Sequence, residues 1–311
     1  MRTPAATALL AAALAACGGG AAAPGGAPPR FGPAEQVPAP VSTAGWEDSG
    51  FISPDGTRLY FTYLRMDPVV FLTEARIRLA GPLRPGWPTL APYDTIGAEL
   101  YRSDLVDGAW TEPVHLDTTI NLPEEQEGDE WVSADGQRIL FTNGGAGGPR
   151  GAYGIYYAEQ LNGMWQPAVL ASSVGFPFVS GDENPHLTLD EQTLFFESSR
   201  PGGQGLQNLW MSTRVQGQWS APVPLPATVN TPGVEGSPFS LDGTALYFDD
   251  KGSGRGILYS RRTAAGWTRA RVVVAGAVGD PSLTLSGDLY FIGGGAVPGG
   301  FDANIFVAHP R

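Results

Sequence analysis

With 311 residues, 42% of them hydrophobic, the chain is long enough for one large domain or two ordinary ones. Its 31 acidic against 19 basic residues give a net charge of −12 with no basic stripe, which excludes a nucleic-acid binder, because phosphates need Lys and Arg. One cysteine excludes an internal disulfide framework, and 43 glycines with 28 prolines describe a fold made of turns.

Residues 1–17, MRTPAATALLAAALAAC, read as a secretory signal. Arg2 opens it, the Ala/Leu run is too short to cross a bilayer, and small residues precede a cysteine. Leu14-Ala15-Ala16-Cys17 resembles the bacterial lipobox. That resemblance implies lipidation at Cys17 and a chain anchored in the bacterial cell envelope. Gly18 rather than Asp behind the cysteine further implies the outer membrane. An ordinary cleavable signal with an incidental cysteine is the alternative. Residues 18–30, GGGAAAPGGAPPR, have too little apolar bulk to fold and read as a flexible tether.

From residue 31 to 311 the pattern is one of short strands. FGPAEQVPAP at Phe31, set beside WQPAVL at Trp165, reads as an orphan outer strand, with Phe31 in the Trp place and Pro33 matching Pro167. WEDSGFISPDGTRLYFTYL opens at Trp46, an insertion of about residues 64–97 follows, and DEWVSADGQRILFTN opens at Asp129. The next copy is complete: NPHLTL, a polar turn, TLFFESS, the loop RPGGQGLQ, NLWMSTR, a Gln216-Gly217 turn and QWSAPVPL. EGSPFSLDGTALYFDD opens at Glu235 and GDPSLTLSGDLYFIG at Gly279. The turn positions Gly56, Gly136, Glu191, Gly243 and Gly287 recur after about 80 and then about 44–55 residues. A four-stranded unit repeating at roughly 40–50 residues is a propeller blade. Asp-Gly at these turns predicts two-residue hairpins with positive φ at both residues. The last copy, ending NIFVAHPR, lacks a Trp strand, so the Phe31 strand is expected to complete it, close the ring and remove two open edges. The expected fold is all-β: a single five-bladed β-propeller of four-stranded antiparallel blades, closed in the last blade by the N-terminal strand.

SPDG-x-x-LYF, SSRPGG-x-G, and W-x-x-PV-x-L followed by VNT or INL resemble the WD40-like (PD40, TolB-type) propeller repeats of bacterial envelope lipoproteins. The likeness covers about residues 31–311. It implies the propeller fold and a periplasmic or surface-facing binding or assembly platform, and it names no activity.

Strand one of each blade lines the axis, so the loop entering it and the loop between strands two and three emerge on one face. Each copy places an acid there: Asp48, Glu130, Glu183, Glu235 and Asp280. Asp48, Glu183 and Glu235 stand in matching register, each eight residues before its turn position. Trp110, Trp165, Trp219 and Trp267 recur at one blade position and read as wedges between blades. Trp87 and Trp131 fall outside that pattern and are the aromatic ligand candidates. The insertion, with Phe71, Leu72, Trp87 and Tyr93, reads either as a lid over the mouth or as a segment packed on a neighbouring blade.

The acids admit three readings. In the structural one they cap backbone N–H groups or pair with Arg150, Arg200 and Arg255. In the second they line a funnel for a cationic or polyhydroxyl ligand, with Ca²⁺ in the central channel as one candidate. In the third, Asp48, Glu130 and Glu183 serve a glycoside hydrolase, whose chemistry needs opposed carboxylates about 5–9 Å apart. Near-equivalent surroundings argue against hydrolysis, which needs unlike environments around its acid and base. The sequence has no EF-hand loop, no His cluster of zinc-site spacing and no G-x-S-x-G elbow. The expectation is a non-enzymatic, monomeric binding or scaffold module without a resident cofactor. Its partner at the channel mouth is an envelope protein, a peptide or a glycan. Two facing carboxylates unpaired with arginine favour the hydrolase instead; a ring latched by Arg150, Arg200 and Arg255 favours the scaffold.

Overall fold

A computed structural model describes residues 27–67, 70, 78–87, 97–122, 125–144, 153–297 and 300–311. Cys17 and the signal, most of the tether, Arg150, and Phe71, Leu72 and Tyr93 of the insertion lie outside the described residues.

Five antiparallel sheets stand around one axis. The inner strands are Trp46–Ile52, Glu127–Val132, Asp182–Leu187, Glu235–Phe239 and Val278–Leu283. Behind them lie the second strands, Arg58–Leu64, Arg138–Asn143, Thr193–Ser198, Ala245–Asp250 and Leu289–Val297. The apolar run in each second strand explains its place. Phe61, Phe141, Phe196, Phe248 and Phe291 occupy one position and are all buried, because a neighbouring blade covers each face of the sheet.

In blades one to four the fourth strand comes in two pieces. Ala109–Trp110, Met164–Trp165, Gln218–Trp219 and Gly266–Trp267 pair with the end of the third strand. Val114–His115, Val169–Leu170, Val223–Pro224 and Arg271–Ala275 pair nearer its start. Between the pieces the chain bows outward. In three blades a buried third-strand serine donates to the bowed carbonyl: Ser103 to Thr111, Ser212 to Ser220 and Ser260 to Thr268, at 2.6–2.7 Å. Proline follows the bow at Pro113, Pro167 and Pro222, where an edge position needs no N–H.

The INL and VNT motifs also acquire a cause. Asn230 accepts from the Leu209 N–H at 3.0 Å and donates to the Leu209 and Leu225 carbonyls at 3.0 and 2.8 Å. Asn121 repeats the pattern on Leu100 and Leu116. Each asparagine ties the exit of one blade to its own third strand. Asn230→Ala is expected to cost about 2–3 kcal/mol, since buried backbone groups lose their partners; urea denaturation measures it, and an unchanged midpoint contradicts the assignment.

The hairpin turns differ from the expectation. Positive φ is confined to one residue, Gly56, Gly136, Glu191, Gly243 and Gly287, while the preceding Asp or Ser stays at negative φ. In blade one the turn is the four residues Ser53 to Gly56, closed by the Gly56 N–H on the Ser53 carbonyl at 2.8 Å. Asp55 accepts from Ser53 Oγ and Thr57 N, so its side chain shapes the loop and a two-residue turn is not needed.

Ring closure matches the expectation. Glu35–Gln36 pairs antiparallel with Val307 and Phe306 of the third strand Gly300–Ala308, and Phe31 bridges Pro310. The offset from Phe31 to Glu35 repeats the offset from Trp165 to Val169 in blade two. Phe31 packs edge-on against Tyr247 of blade four, at 6.5 Å, as Trp267 packs against Phe195 of blade three.

Candidate functional site

Each inner strand carries a β-bulge near the mouth, and the bulged residue takes a left-handed conformation: Ser49, Asp129, Asn184, Ser237 and Asp280, at φ 47 to 54°. Short polar side chains tolerate that region, and a bulge turns a side chain toward a new direction. The bulge fixes the alignment between blades, and it corrects the sequence register. Blade four has one residue fewer between bulge and turn, so Glu235 aligns with Asp182 rather than with Glu183.

Glu235 therefore belongs to a set of latches with Glu47, Glu127 and Asp182, two positions before the bulge. Each buried carboxylate holds the chain arriving from the previous blade. Glu47 accepts from the Thr43 N–H at 3.1 Å, Glu127 from Leu122 at 3.2 Å, Asp182 from Val179 at 2.7 Å and Glu235 from Thr231 at 3.0 Å. Arg200 pairs with Asp182 and lies over the Phe196 and Trp210 rings, so it is part of a latch and not a free ligand contact. Arg255 pairs with Asp250, again outside the predicted ring. Of the predicted acids, Glu235 is the one that holds the chain arriving from the previous blade.

The other predicted acids do meet at the mouth, at three different levels. Asp48 and Glu183 precede the bulge, Asp280 lies on it beside Asp129, and Glu130 follows it. Two further carboxylates and the chain's one lysine join them from the second strands and the adjoining loop: Glu197, Asp249 and Lys251. Lys251 Nζ sits 3.1 Å from Glu197, Ser49 donates to Asp129 at 3.0 Å, Asn184 donates to Glu197 at 3.0 Å, Ser237 donates to Asp280, and Tyr153 donates to Glu183. A cavity of about 300 Å³ opens among blades four, five and one, walled by Trp46, Asp48, Asp249, Lys251, Asp280 and Ile292.

Crowding dominates the electrostatics. Burial, then the Asp280 and Asp129 charges, push Asp48 well above the usual carboxylate range. Burial raises Asp129, with Lys251 opposing the rise and Asp280 adding to it. Burial likewise lifts Glu197 to about 7 and Asp249 to about 6, against the pull of Lys251. Burial alone would lower Lys251; the carboxylates around it outweigh that and hold its ammonium well above the ordinary value. Among the described residues the mouth is short of positive charge.

Below the bulge the channel narrows to a neck of about 40 Å³. Gly50, Glu130, Pro185, Pro238 and Pro281 form its wall, and Phe51, Trp131, His186 and Phe239 plug its floor. His186 and Phe239 rings lie 4.4 Å apart, and burial lowers His186 to about 4 while its Nε2 contacts the Ser240 carbonyl at 2.8 Å. Trp131 is therefore core: it is 5% exposed and its indole N–H donates to the Leu187 carbonyl at 2.9 Å. Trp87 is core too, buried edge-on against Tyr63 at 5.6 Å. Neither offers a face to a ligand at the mouth. Among the described residues no group of three or more His, Cys, Asp or Glu side chains is arranged to hold a metal ion.

Glu197, Asp249 and Lys251 were not among the sequence candidates. The available signal was a charge at the second-strand position where Thr62, Thr142 and Ile292 stand in the other blades.

No protein-family model matches the chain, and no curated protein matches it by sequence. Among solved structures it is similar to the catalytic domain of a GH62 α-L-arabinofuranosidase from Coprinopsis cinerea, with 12% identity, a TM-score of 0.51, and 91% of this chain and 97% of that one covered. It is similar to the xyloglucan-locus GH43B of Bacteroides ovatus at 14% identity and TM-score 0.50, covering 88% of this chain and 54% of that one. It is also similar to TolB from Acinetobacter baumannii at 14% identity and TM-score 0.44, covering 86% of this chain and 55% of that one. The chain thus spans about half the length of TolB, and at these identities the likeness is one of fold.

Proposed function

We propose that the chain is a binding module of the bacterial envelope, lipid-anchored through Cys17, that takes a positively charged protein or peptide segment at its channel mouth. The observation that carries this reading is the charge imbalance among the described residues there: Asp48, Asp129, Asp249, Asp280, Glu183 and Glu197 gather around a single lysine. A basic segment entering the mouth supplies the cation that crowded carboxylates lack, and electrostatic complementarity of this kind steers encounter and selects partners. The repeat motifs, which resemble those of TolB-type envelope lipoproteins, agree with it.

The hydrolase reading draws less support. Asp48, Glu130 and Glu183 do not line one space: Asp48 walls the side cavity, Glu130 the neck, and Glu183 is engaged by Tyr153. Asp48 and Glu130 are also shifted in the same direction by burial, whereas an acid and base pair needs unlike protonation.

Titration with fluorescent basic, neutral and acidic octapeptides tests the proposal, alongside an oligosaccharide hydrolysis panel. Basic peptides are expected to bind, with affinity falling roughly tenfold between 50 and 200 mM salt and falling again in Asp48→Asn/Asp280→Asn. Equal binding of acidic peptides, or glycan turnover lost in Asp48→Asn, would overturn it.

A further inference from the structure

The outer half of blade four departs from the acidic character of the chain. Residues 251–277 hold Lys251 and five arginines and no Asp or Glu. Lys251 and Arg255 are engaged near the mouth, by Glu197 and Asp250. Arg261, Arg269 and Arg271 are different: among the described residues none of the three pairs with a carboxylate. Elsewhere in the ring carboxylates take the arginines. Asp104 takes Arg58 and Arg102, Glu191 takes Arg138 and Asp182 takes Arg200.

The register gathers these arginines on one face. Arg271 stands opposite Tyr259, and Arg261 follows Tyr259 by two residues, so strand alternation sends all three side chains the same way. Arg269 joins them from the bow of the outer strand. The three arginines, with Tyr259, Ala27 and Pro28, line a cavity of about 190 Å³, enough to seat a phosphate group. Arg30 and Arg311 lie along the same border. Phe31 packs on Tyr247, whose other neighbour is Tyr259 at 5.2 Å, and the Arg311 N–H donates to the Arg30 carbonyl at 2.9 Å. Acids of the adjoining turns are engaged locally: Asp242 by the Thr244 and Ala245 N–H groups, Asp288 by Ser286 and His309. Arg261 pairs with Ala245, at the turn end of the blade, which keeps the patch apart from the carboxylates at the mouth.

We propose that this arginine face rests on a bilayer and takes the phosphate groups of anionic phospholipids. The inference rests on the reading of Cys17 as the lipid anchor. Ten residues lead from Cys17 to Ala27, which limits the span between them to about 35 Å, and residues 18–29 carry no charge. The charges nearest the anchor along that path are Arg30 and the arginines against which Ala27 and Pro28 lie. An exposed arginine close to an anionic surface strengthens association about fivefold, and its planar fork matches two phosphate oxygens. The tether raises the effective concentration of the domain at the surface, so a few such contacts suffice to set which side of the ring meets the lipid. The carboxylate-rich mouth is repelled by the same surface.

Co-sedimentation of the full chain carrying Cys17→Ser, so that no acyl chain contributes, with phosphatidylglycerol and with phosphatidylcholine vesicles tests this. Binding to phosphatidylglycerol is expected to be tighter by about tenfold or more. Arg261→Gln/Arg269→Gln/Arg271→Gln is expected to melt with the parent, because these side chains are exposed or half-buried, and to lose roughly a hundredfold in affinity. Arg261→Lys/Arg269→Lys/Arg271→Lys, which keeps the charge, is expected to bind within about threefold of the parent. Equal binding of the parent and the Gln variant to phosphatidylglycerol, or no binding by the parent, would overturn the proposal. Release from the vesicles by inorganic phosphate at fixed ionic strength would make free phosphate the ligand, and an acidic octapeptide bound by the parent but not by the Gln variant would make it a protein; either overturns the bilayer assignment. Mass spectrometry of the unsubstituted chain from the membrane fraction decides the anchor separately. An unmodified Cys17 there sinks the anchor reading, while loss of vesicle binding in the Gln variant still decides the patch.

Discussion

Arg84→Ala is expected to remove about 3–5 kcal/mol of stability, the scale at which breaking a buried ion pair leaves a charge uncompensated. Arg84 is 2% exposed, and its guanidinium lies 3.0 Å from the fully buried Glu47, with the Pro40 and Val41 carbonyls as further acceptors. It also stacks over Tyr63 at 4.5 Å and Phe61 at 5.4 Å. One side chain from the insertion thus pins the segment that joins the closing strand to blade one. Burial raises Glu47 to about 7 even with the Thr43 hydrogen bonds and Arg84 opposing it. A carboxyl whose folded pKa lies above its unfolded value binds its proton more tightly in the folded state. Its contribution to stability is full below about pH 4.5 and is lost as the pH rises through about 7. The deficit of Arg84→Ala should therefore shrink on acidification toward pH 5, where Glu47 is protonated in both proteins. Denaturant melts at pH 5 and pH 8 measure this; a deficit independent of pH would show that the loss is packing and not charge.

Deleting residues 1–37 is expected to be comparably severe. The deletion removes the Glu35–Gln36 strand, the Gly32 bond to His309, the Val37 bond to Ile305 and the buried Val37 side chain. At about 1 kcal/mol per hydrogen bond and about 2 kcal/mol for the valine, the loss is roughly 4–6 kcal/mol, a large fraction of a typical domain's stability. The strand Gly300–Ala308 is then an open edge beside an open blade interface, and pairing with a second copy is the usual outcome. Size-exclusion chromatography with a thermal melt decides it. A monomer melting at the parent temperature would mean that the ring does not depend on this strand.

The blades, their number and their closure could be read in the sequence because each rests on local chemistry: apolar alternation, turn residues, and the Trp or Phe of the outer strand. The turn geometry is not legible, because Asp-Gly alone does not distinguish a two-residue turn from a four-residue one; the Ser53 and Thr57 contacts of Asp55 decide it. The site was only half legible. Counting back from the turn assumes inner strands of equal length, and blade four is one residue shorter, which moved Glu235 from latch to ring. Trp87 and Trp131 break the repeat, which suggests ligand aromatics, yet a residue can break a repeat by filling a gap in the core. Glu197, Asp249 and Lys251 stand far apart in sequence, on strands that read as plain core, and only the radial arrangement of blades brings them to one place.

The position of Phe31 beside Pro310 decides which way the molecule looks. Pro310 lies against the Gly287 turn, on the side of the ring remote from the bulges, and Ala27 and Pro28 lie against the outer strands of blade four at the rim. Whatever holds that end, the carboxylate-rich opening is turned toward the opposite side, as the bowl of a goblet is turned from its stem.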